Sequence, residues 1–433
     1  MNYTHDRNKY PEQQWKKSKI KYCADFMPNC NTDNIASEES VTFTPMECIK
    51  QGYFENRCAT FSSFNGSYTK YQEGDIVIAK VTPCFENGNI AIMRHLYSGI
   101  GFGSSELFVL RPRNINTSFL FYFLQSHSFI ERCKSMMTGT GGLKRVPSSV
   151  VTNNIIFLPE PVEQSAIADY LDEKCGAIDE IIEQAKATIE EYKAWKSSVI
   201  FEAVTKGLDP NVEMKDSGVE WIGKMPETWE LKPFRYFLHE RMEKNSPVKS
   251  TERLSLSIEL GVTLYSEKTT NLDRFKDDFE QYKLAHEGDL VMNSMNMIVG
   301  ASGVSKYFGC ISPAYYTFYD KLPDHASAKY CEYVFRSKAM LRILYSLGRG
   351  IYAIERGDDR VNTCRLKVPK EDLKALLLPS PSVKEQREII NYLDRKCSAI
   401  DEIIAEKEAL IADMDAYKKS LIFETVTGKR KVC

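Results

Sequence analysis

The sequence predicts an α+β protein of two globular α/β regions separated by two long antiparallel coiled-coil helices, an internal repeat with a rough two-fold axis. Three observations predict it. Gln164–Lys206 recurs from Gln386 to Gly428, and 23 of 43 aligned positions are identical without a gap. Both copies carry an apolar stripe at helical spacing. The regions preceding them share a plan at lower identity. A repeat of this length sets the fold before any single element does.

The repeated stretch reads as a helix. Leu171, Ile178, Ala185, Tyr192 and Val199 recur every seven residues, and Cys175, Ile182 and Ile189 follow the first three by four. The second copy places Leu393, Ile400, Lys407, Met414 and Leu421 in the same way, with Cys397, Ile404 and Ile411 beside them. That is one buried helix face. The other copy is the nearest complementary surface, so Leu171, Ile178, Ile182, Ile189, Leu393, Ile400, Ile404 and Ile411 are expected to pack a helix pair.

The expected domains are residues 1–157, a first globe; 158–206, a central spacer helix; 207–226, a connector rich in Pro, Gly, Asp and Asn with Trp221-Ile222 as an anchor; 227–377, a second globe; and 378–433, a C-terminal spacer helix. In the first globe, Gly74-Asp75 turns into a buried strand, Ile76–Val81. A polar loop, Pro83–Asn89, follows, then strands at Ile90–Met93 and Leu107–Leu110. Phe119–Cys133 reads as one helix, Thr138–Val146 as a small-residue loop ending in two cations, and Val151–Leu158 as a last strand. In the second globe, Gly288-Asp289-Leu290-Val291 matches Gly74–Val77, and Asn293–Gly300 is the polar loop. Tyr315–Tyr319 reads as a strand and Tyr330–Met340 as a helix. Gly348–Tyr352 stands where the first Gly-rich loop stood.

Composition narrows the function. No apolar run reaches the ~18–20 residues of a membrane span, and the first residues do not read as a signal peptide, which predicts a cytoplasmic protein. The 12 cysteines are scattered without a CxxC pair, which predicts neither a disulfide framework nor a zinc site. The net charge of −2 partitions unevenly: residues 1–157 are +4, residues 227–377 are +2 and residues 158–206 are −6. Positive globes can approach DNA phosphates; the acidic helix should stay off them. A search for catalytic patterns returns no GxxxxGK[ST] loop, no adenine-methyltransferase motif and no nuclease core. A non-catalytic recognition protein is expected.

Polar, glycine-rich loops flanked by cations suit DNA contact, because small hydroxyls and backbone N–H groups reach phosphates and Arg reads guanine edges. The candidates are Lys80, Thr82, Asn87, Thr140, Gly141, Gly142, Lys144 and Arg145 in the first globe. In the second they are Asn293, Ser294, Asn296, Arg349, Gly350, Tyr352, Arg356 and Arg360. No catalytic residue and no metal ligand is expected.

Three motifs carry a family resemblance. They are Gly74-Asp75-Ile76-Val77-Ile78-Ala79-Lys80-Val81-Thr82-Pro83-Cys84-Phe85-Glu86-Asn87-Gly88; Leu158-Pro159 with Glu163-Gln164, repeated as Leu378-Pro379 with Glu385-Gln386; and Gly207-Leu208-Asp209-Pro210 running on to Asp216–Gly223. Over essentially its whole length the chain resembles the specificity subunit of type I restriction-modification enzymes. The resemblance implies two target-recognition domains, each reading one half of a split double-stranded DNA target, with the two long helices as a spacer. It implies modification subunits that methylate adenine with S-adenosylmethionine, and restriction subunits that translocate DNA using ATP and Mg. Those cofactors belong to the partners, and none is expected on this chain. Two other readings stay open from the residues: a non-DNA scaffold of two modules joined by a helix pair, and an enzyme whose site no motif reveals.

The second polar loop lacks the Pro-Cys-Phe-Glu-Asn-Gly of the first, so the two half-sites should differ. Replacing residues 1–157 by those of a relative should change one half of the methylated motif and leave the other intact. Methylation sequencing reads this directly, and a change in both halves would defeat the modular reading.

Overall fold

A computed structural model describes residues 15–64, 66–140, 142–268, 278–351 and 365–432. The chain forms two compact units, residues 1–186 with 408–433 and residues 187–407. Each long helix, Pro161–Lys206 and Val383–Val426, contributes a part to both units.

The first unit is built on an antiparallel sheet in the order Ala24–Phe26, Leu107–Pro112, Ile76–Ala79, Ile90–Ile92. The central strand reads as an unbroken apolar run because both of its faces are covered. Ile76 and Ile78 pack with Ile90, Phe108 and Leu110 under the helices. Val77 and Ala79 face the other way, against Ala91, Val109 and Tyr71. A second sheet, in the order Arg57–Thr60, Ser40–Thr44, Ile100–Gly103, Thr69–Gln72, lies beyond that face.

The second unit repeats the first sheet's order with His239–Glu240, Tyr315–Tyr319, Leu290–Asn293 and Ser302–Val304. Leu290 and Met292 pack under the helices with Tyr316 and Phe318. Val291 packs on the opposite face with Leu254, Leu256 and Ile311.

The two helical expectations beside these sheets need correction. Phe119–Cys133 is not one helix but two, Thr117–Gln125 and His127–Ser135. Tyr330–Met340 likewise divides into Ala326–Arg336 and Lys338–Leu347. A serine makes each break. Ser126 and Ser337 turn extended, and each hydroxyl donates 2.7 Å back to a carbonyl three residues earlier, that of Phe123 or Val334. A serine hydroxyl competes with the helical ladder in this way and favours helix starts. Val151–Leu158 also divides, into a short helix Ser148–Thr152 and a strand Ile155–Leu158. Leu158 therefore ends a strand, Leu378 lies inside one, Leu377–Ser380, and the long helices begin at Pro161 and Val383. The connector carries a hairpin, Met214–Asp216 with Lys224–Pro226, and Ile222 is buried in the second unit's core.

The apolar stripe of each long helix is covered within its unit. In the first, Leu171, Cys175, Ile178 and Ile182 share a core with Leu421, Ile422 and Val426, and Ile411 and Met414 pack against it. Asp179 accepts from the Lys418 ammonium at 2.6 and 2.7 Å. In the second, Val199, Ala203 and Val204 meet Ile389, Ile390 and Leu393, and Lys196 donates to Asp401 at 2.6 and 2.7 Å. Ile189 and Ile400 are buried, and Ile404 is half-buried. A glycine in the left-handed region follows each helix, Gly207 (φ 76°) directly and Gly428 (φ 74°) after Thr427, with a tryptophan ring, Trp229 or Trp15, packed beside it. A side chain at either glycine would strain the backbone and press on that ring.

One ion pair recurs with its parts rearranged. Asp75 is buried, accepts from the Gln72 amide at 2.8 Å, and receives the Arg111 guanidinium at 2.7 and 2.9 Å. Asp289 is equally buried, accepts from the His286 amide at 2.9 Å, and receives Arg241 at 2.5 and 3.0 Å. The arginines come from different strands. Met27 N donates to Val109 O, and Arg241 N donates to Thr317 O. Val109 and Thr317 stand opposite Val77 and Val291 in register. Met27 and Arg241 thus hold one place in the fold, and Arg111 and Tyr319 hold another. In the second unit the cation has moved to the neighbouring strand and lies 4.9 Å from the Tyr319 ring centre. Removing either carboxylate takes the main counter-charge from a half-buried arginine. Asp75→Ala and Asp289→Ala should each cost about 3 kcal/mol of unfolding free energy, measured by urea denaturation; a loss below about 1 kcal/mol would show the pair to be no more than a surface bridge.

Candidate nucleic-acid interface

In the first unit the central strand runs out past Ala79 and is stitched to a hairpin. Thr138–Val146, expected as a loop, is that hairpin: Thr138–Thr140 pairs with Leu143–Arg145. Val146 N donates to Lys80 O at 2.8 Å and Thr82 N to Lys144 O at 3.0 Å. The Thr82 hydroxyl donates to Gly142 O at 2.9 Å and accepts from Lys144 N at 2.9 Å. Pro83–Asn89 then folds back on itself, with Asn87 N donating to Pro83 O and Gly88 N to Phe85 O. Buried Phe85 pins this turn against Phe129, and Asn87 stays exposed. Beside it opens a cleft of about 340 Å³ whose lining includes Asn87, Gln125, His127, Lys134 and Lys419.

Strand and hairpin thus bring Lys80, Thr82, Gly142, Lys144 and Arg145 into one patch, with Thr140 exposed on the hairpin. The cations differ in readiness. Lys80 Nζ donates to Ser105 O at 2.7 Å and lies 5.6 Å from the Phe108 ring centre. Arg145 is forked onto Glu106 at 2.9 and 2.7 Å. That bond holds the Glu106 carboxyl below its ordinary range and raises the guanidinium further. Lys144 is exposed.

The second unit builds the same connection with other side chains. Val368 N donates to Ser294 O at 3.0 Å, as Val146 does to Lys80. Asn293 and Ser294, expected as contact residues, are 7% and 1% exposed. The physical reason is local: Asn293 ends the central strand, and its side-chain oxygen turns inward to accept from Met295 N and Asn296 N at 3.1 and 3.4 Å. Asn296 is exposed at the turn. Gly348–Tyr352, expected as a loop, holds a strand instead, Arg349–Ile351, paired with Arg365–Lys367. Gly350 lies in that strand, and Arg349 is exposed but bonded to Asp372 at 2.7 Å. Gly141, Tyr352, Arg356 and Arg360 lie outside the described residues.

Several groups at the candidate site carry no signal in the sequence. Glu106 and Asp372 are ordinary acids until the fold sets them under Arg145 and Arg349. Glu240 receives both Lys370 and Lys374, at 2.5 and 2.7 Å, and so pins the short helix Lys370–Ala375 that follows the hairpin. Burial pushes its carboxyl up, but the two ammonium groups outweigh this and hold it below its ordinary range. Among the described residues no three His, Cys, Asp or Glu side chains converge where a metal ion could sit, and no helix is long and apolar enough to cross a membrane. What the patch offers is exposed ammonium, guanidinium and amide donors on a small-residue hairpin. That inventory suits phosphates and base edges.

The fold class is a mixed α/β arrangement shared with solved structures from type I restriction-modification systems. One chain, from work on complex assembly and conformational transition of the type I R-M system, superposes with a TM-score of 0.68 at 14% identity, over 96% of this chain and 98% of that one. The HsdS subunit from Thermoanaerobacter tengcongensis gives 0.51 at 15% identity, over 96% and 97%. Residues 11–191 match the family described as type I restriction modification DNA specificity domain. The EcoEI specificity subunit of Escherichia coli is 32% identical over 161 residues, 36% of this chain and 27% of that protein. The EcoAI specificity subunit, also of Escherichia coli, is 32% identical over 184 residues, 41% and 31%. The chain thus aligns with less than a third of the length of these relatives. Residues 11–191, less than half of the chain, thus carry its likeness to the type I restriction-modification specificity domain.

A phosphate reaching Arg145 would have to displace the Glu106 fork. Glu106→Gln should raise affinity for a mixed-sequence duplex about threefold and steepen the plot of log K against log salt by about one charge. Fluorescence anisotropy across a salt series reads both, and an unaltered slope would place Arg145 off the DNA.

Proposed function

We propose that this chain is the non-catalytic DNA-recognition subunit of a type I restriction-modification complex. One observation carries the reading beyond the likeness of residues 11–191 to that domain. The strand–turn–hairpin junction is built twice, with the same backbone bonds from Val146 to Lys80 and from Val368 to Ser294, and with different side chains on the exposed turns. Two junctions of one design with different surfaces suit a bipartite, asymmetric target, one half-site for each. In this reading residues 1–157 and 227–377 are the target-recognition domains. Residues 158–206 and 378–433 are an antiparallel coiled-coil spacer, and residues 207–226 connect them. The ion pairs Asp179–Lys418 and Lys196–Asp401 support the spacer, because an offset of 222 residues carries each pair onto the other.

The candidate contacts are the exposed ones: Asn87, Thr140, Gly142, Lys144 and Arg145 in the first domain, and Asn296 and Arg349 in the second. Lys80 and Thr82 hold the first hairpin in place behind them. Gly141, Gly350, Tyr352, Arg356 and Arg360 complete the set. Methyltransferase subunits using S-adenosylmethionine, and restriction subunits using ATP and Mg, supply the chemistry. Their docking leaves this chain to choose the site.

Methylation sequencing of cells carrying the system, with and without this gene, tests the reading. A split motif with N6-methyladenine on both strands should vanish on deletion. Inserting four residues at Gln184–Ala187 adds ~6 Å of helix and turns the register by about 40°, so the gap between half-sites should lengthen or assembly should fail. A motif indifferent to the deletion would remove the recognition role, and an unchanged gap with full activity would remove the spacer role.

A further inference from the structure

Two tyrosines, one in each unit, stand in solvent at equivalent places in the repeat. Tyr22 is 65% exposed and Tyr236 62%. Tyr22 lies on the helical turn Ile20–Cys23, and Tyr236 on the turn Phe234–Tyr236. Each turn follows a strand paired with the one that leads towards a long helix: Lys16–Lys19 with Ile155–Leu158, and Glu230–Pro233 with Leu377–Ser380. An exposed cation precedes each ring, Lys21 or Arg235. A lysine ammonium also stands over each ring, Lys21 at 5.3 Å from the centre of Tyr22 and Lys232 at 5.0 Å from that of Tyr236.

Each turn also packs on the short helix that follows its candidate hairpin. Ile20–Cys23 packs on the short helix Ser148–Thr152, and Phe234–Tyr236 on Lys370–Ala375. Both short helices are reached from their hairpins through a Val-Pro step, Val146-Pro147 and Val368-Pro369. The exposed turns that would read bases differ between the units, whereas the cation and tyrosine are kept. A kept contact fits the part of the ligand that is the same at both half-sites. For a duplex that part is the sugar–phosphate backbone, whose contacts come from Lys, Arg and Tyr side chains and position a protein without reading sequence. Charge agrees in the first unit, where Lys16 and Lys17 are exposed beside Lys21; in the second, Lys232 is paired with Glu230 and Arg235 is the exposed cation.

We propose that Lys21-Tyr22 and Arg235-Tyr236 are paired phosphate clamps, one per unit, that grip the DNA backbone next to each recognition hairpin. The clamps rest on the DNA-recognition reading above. The full chain is tested by anisotropy with a mixed-sequence duplex across a salt series, as wild type, as Lys21→Glu with Tyr22→Ala, and as Arg235→Glu with Tyr236→Ala. Each double variant should bind about tenfold more weakly on any sequence and lower the salt slope by about one, while the methylated motif stays the same. Lys21→Arg should bind as wild type does, and thermal melting should show both double variants folded. Wild-type affinity and slope in the variants would overturn the clamps, as would an altered motif. So would full DNA binding with loss of copurifying modification subunits, which would make the surface a protein interface. A wild-type chain that binds no duplex would instead overturn the DNA reading itself.

Discussion

A carboxylate placed out of water constrains everything around it. Asp75 and Asp289 each follow a glycine at a turn and open the central strand of their sheet, where burial requires a counter-charge and hydrogen-bond donors. A backbone amide and an arginine fork supply both. The arginine in turn ties a second strand to the turn, so the pair fixes strand order as well as charge. That the cation comes from the Arg111 place in one unit and the Arg241 place in the other shows what is demanded. The fold requires a guanidinium at that point in space and is indifferent to the strand that delivers it.

From that anchor the central strand leads to the candidate interface. It leaves the core at Ala79 or Asn293, and its next carbonyl accepts from the residue that closes the hairpin, Val146 or Val368. The hairpin's orientation is thereby coupled to the buried pair through a few residues of strand. The long helices serve the same end by a different force. Their apolar stripes find cover in each unit, and Asp179–Lys418 and Lys196–Asp401 add ion pairs at the stripe's edge. Exposed pairs of this kind stabilise by about 1 kcal/mol or less, so register rests mainly on the buried Leu, Ile and Val.

The sequence was most legible where burial imposes a period. Leu171, Ile178 and Ile182 are spaced for one helix face, and they are buried. The buried strand after Gly74-Asp75 was legible because an apolar run bounded by turn residues has few other uses. The breaks at Ser126 and Ser337 were not legible, because a serine inside an apolar helix looks tolerable until its hydroxyl takes a carbonyl from the ladder. Thr138–Val146 read as a loop because small residues weaken the strand signal. Pairing with the strand extension at Thr82, remote in sequence, makes it a hairpin.

At the candidate interface, residue type by itself told less. Polar identity suggested Asn293 and Ser294, yet Asn293 spends its side chain on the turn that follows it. Arg145 and Arg349 had the right charge, but acids distant in the chain, Glu106 and Asp372, meet them. What the sequence by itself determined was the duplication, the two helices, the buried strands and the polar character of the turns, since these follow from periodicity and local propensity. Only the tertiary structure decided which polar groups face solvent, which cations are already held, and where the counter-charge of each buried aspartate comes from. Burial and ion pairing join residues far apart in the chain, and local pattern carries no record of those meetings.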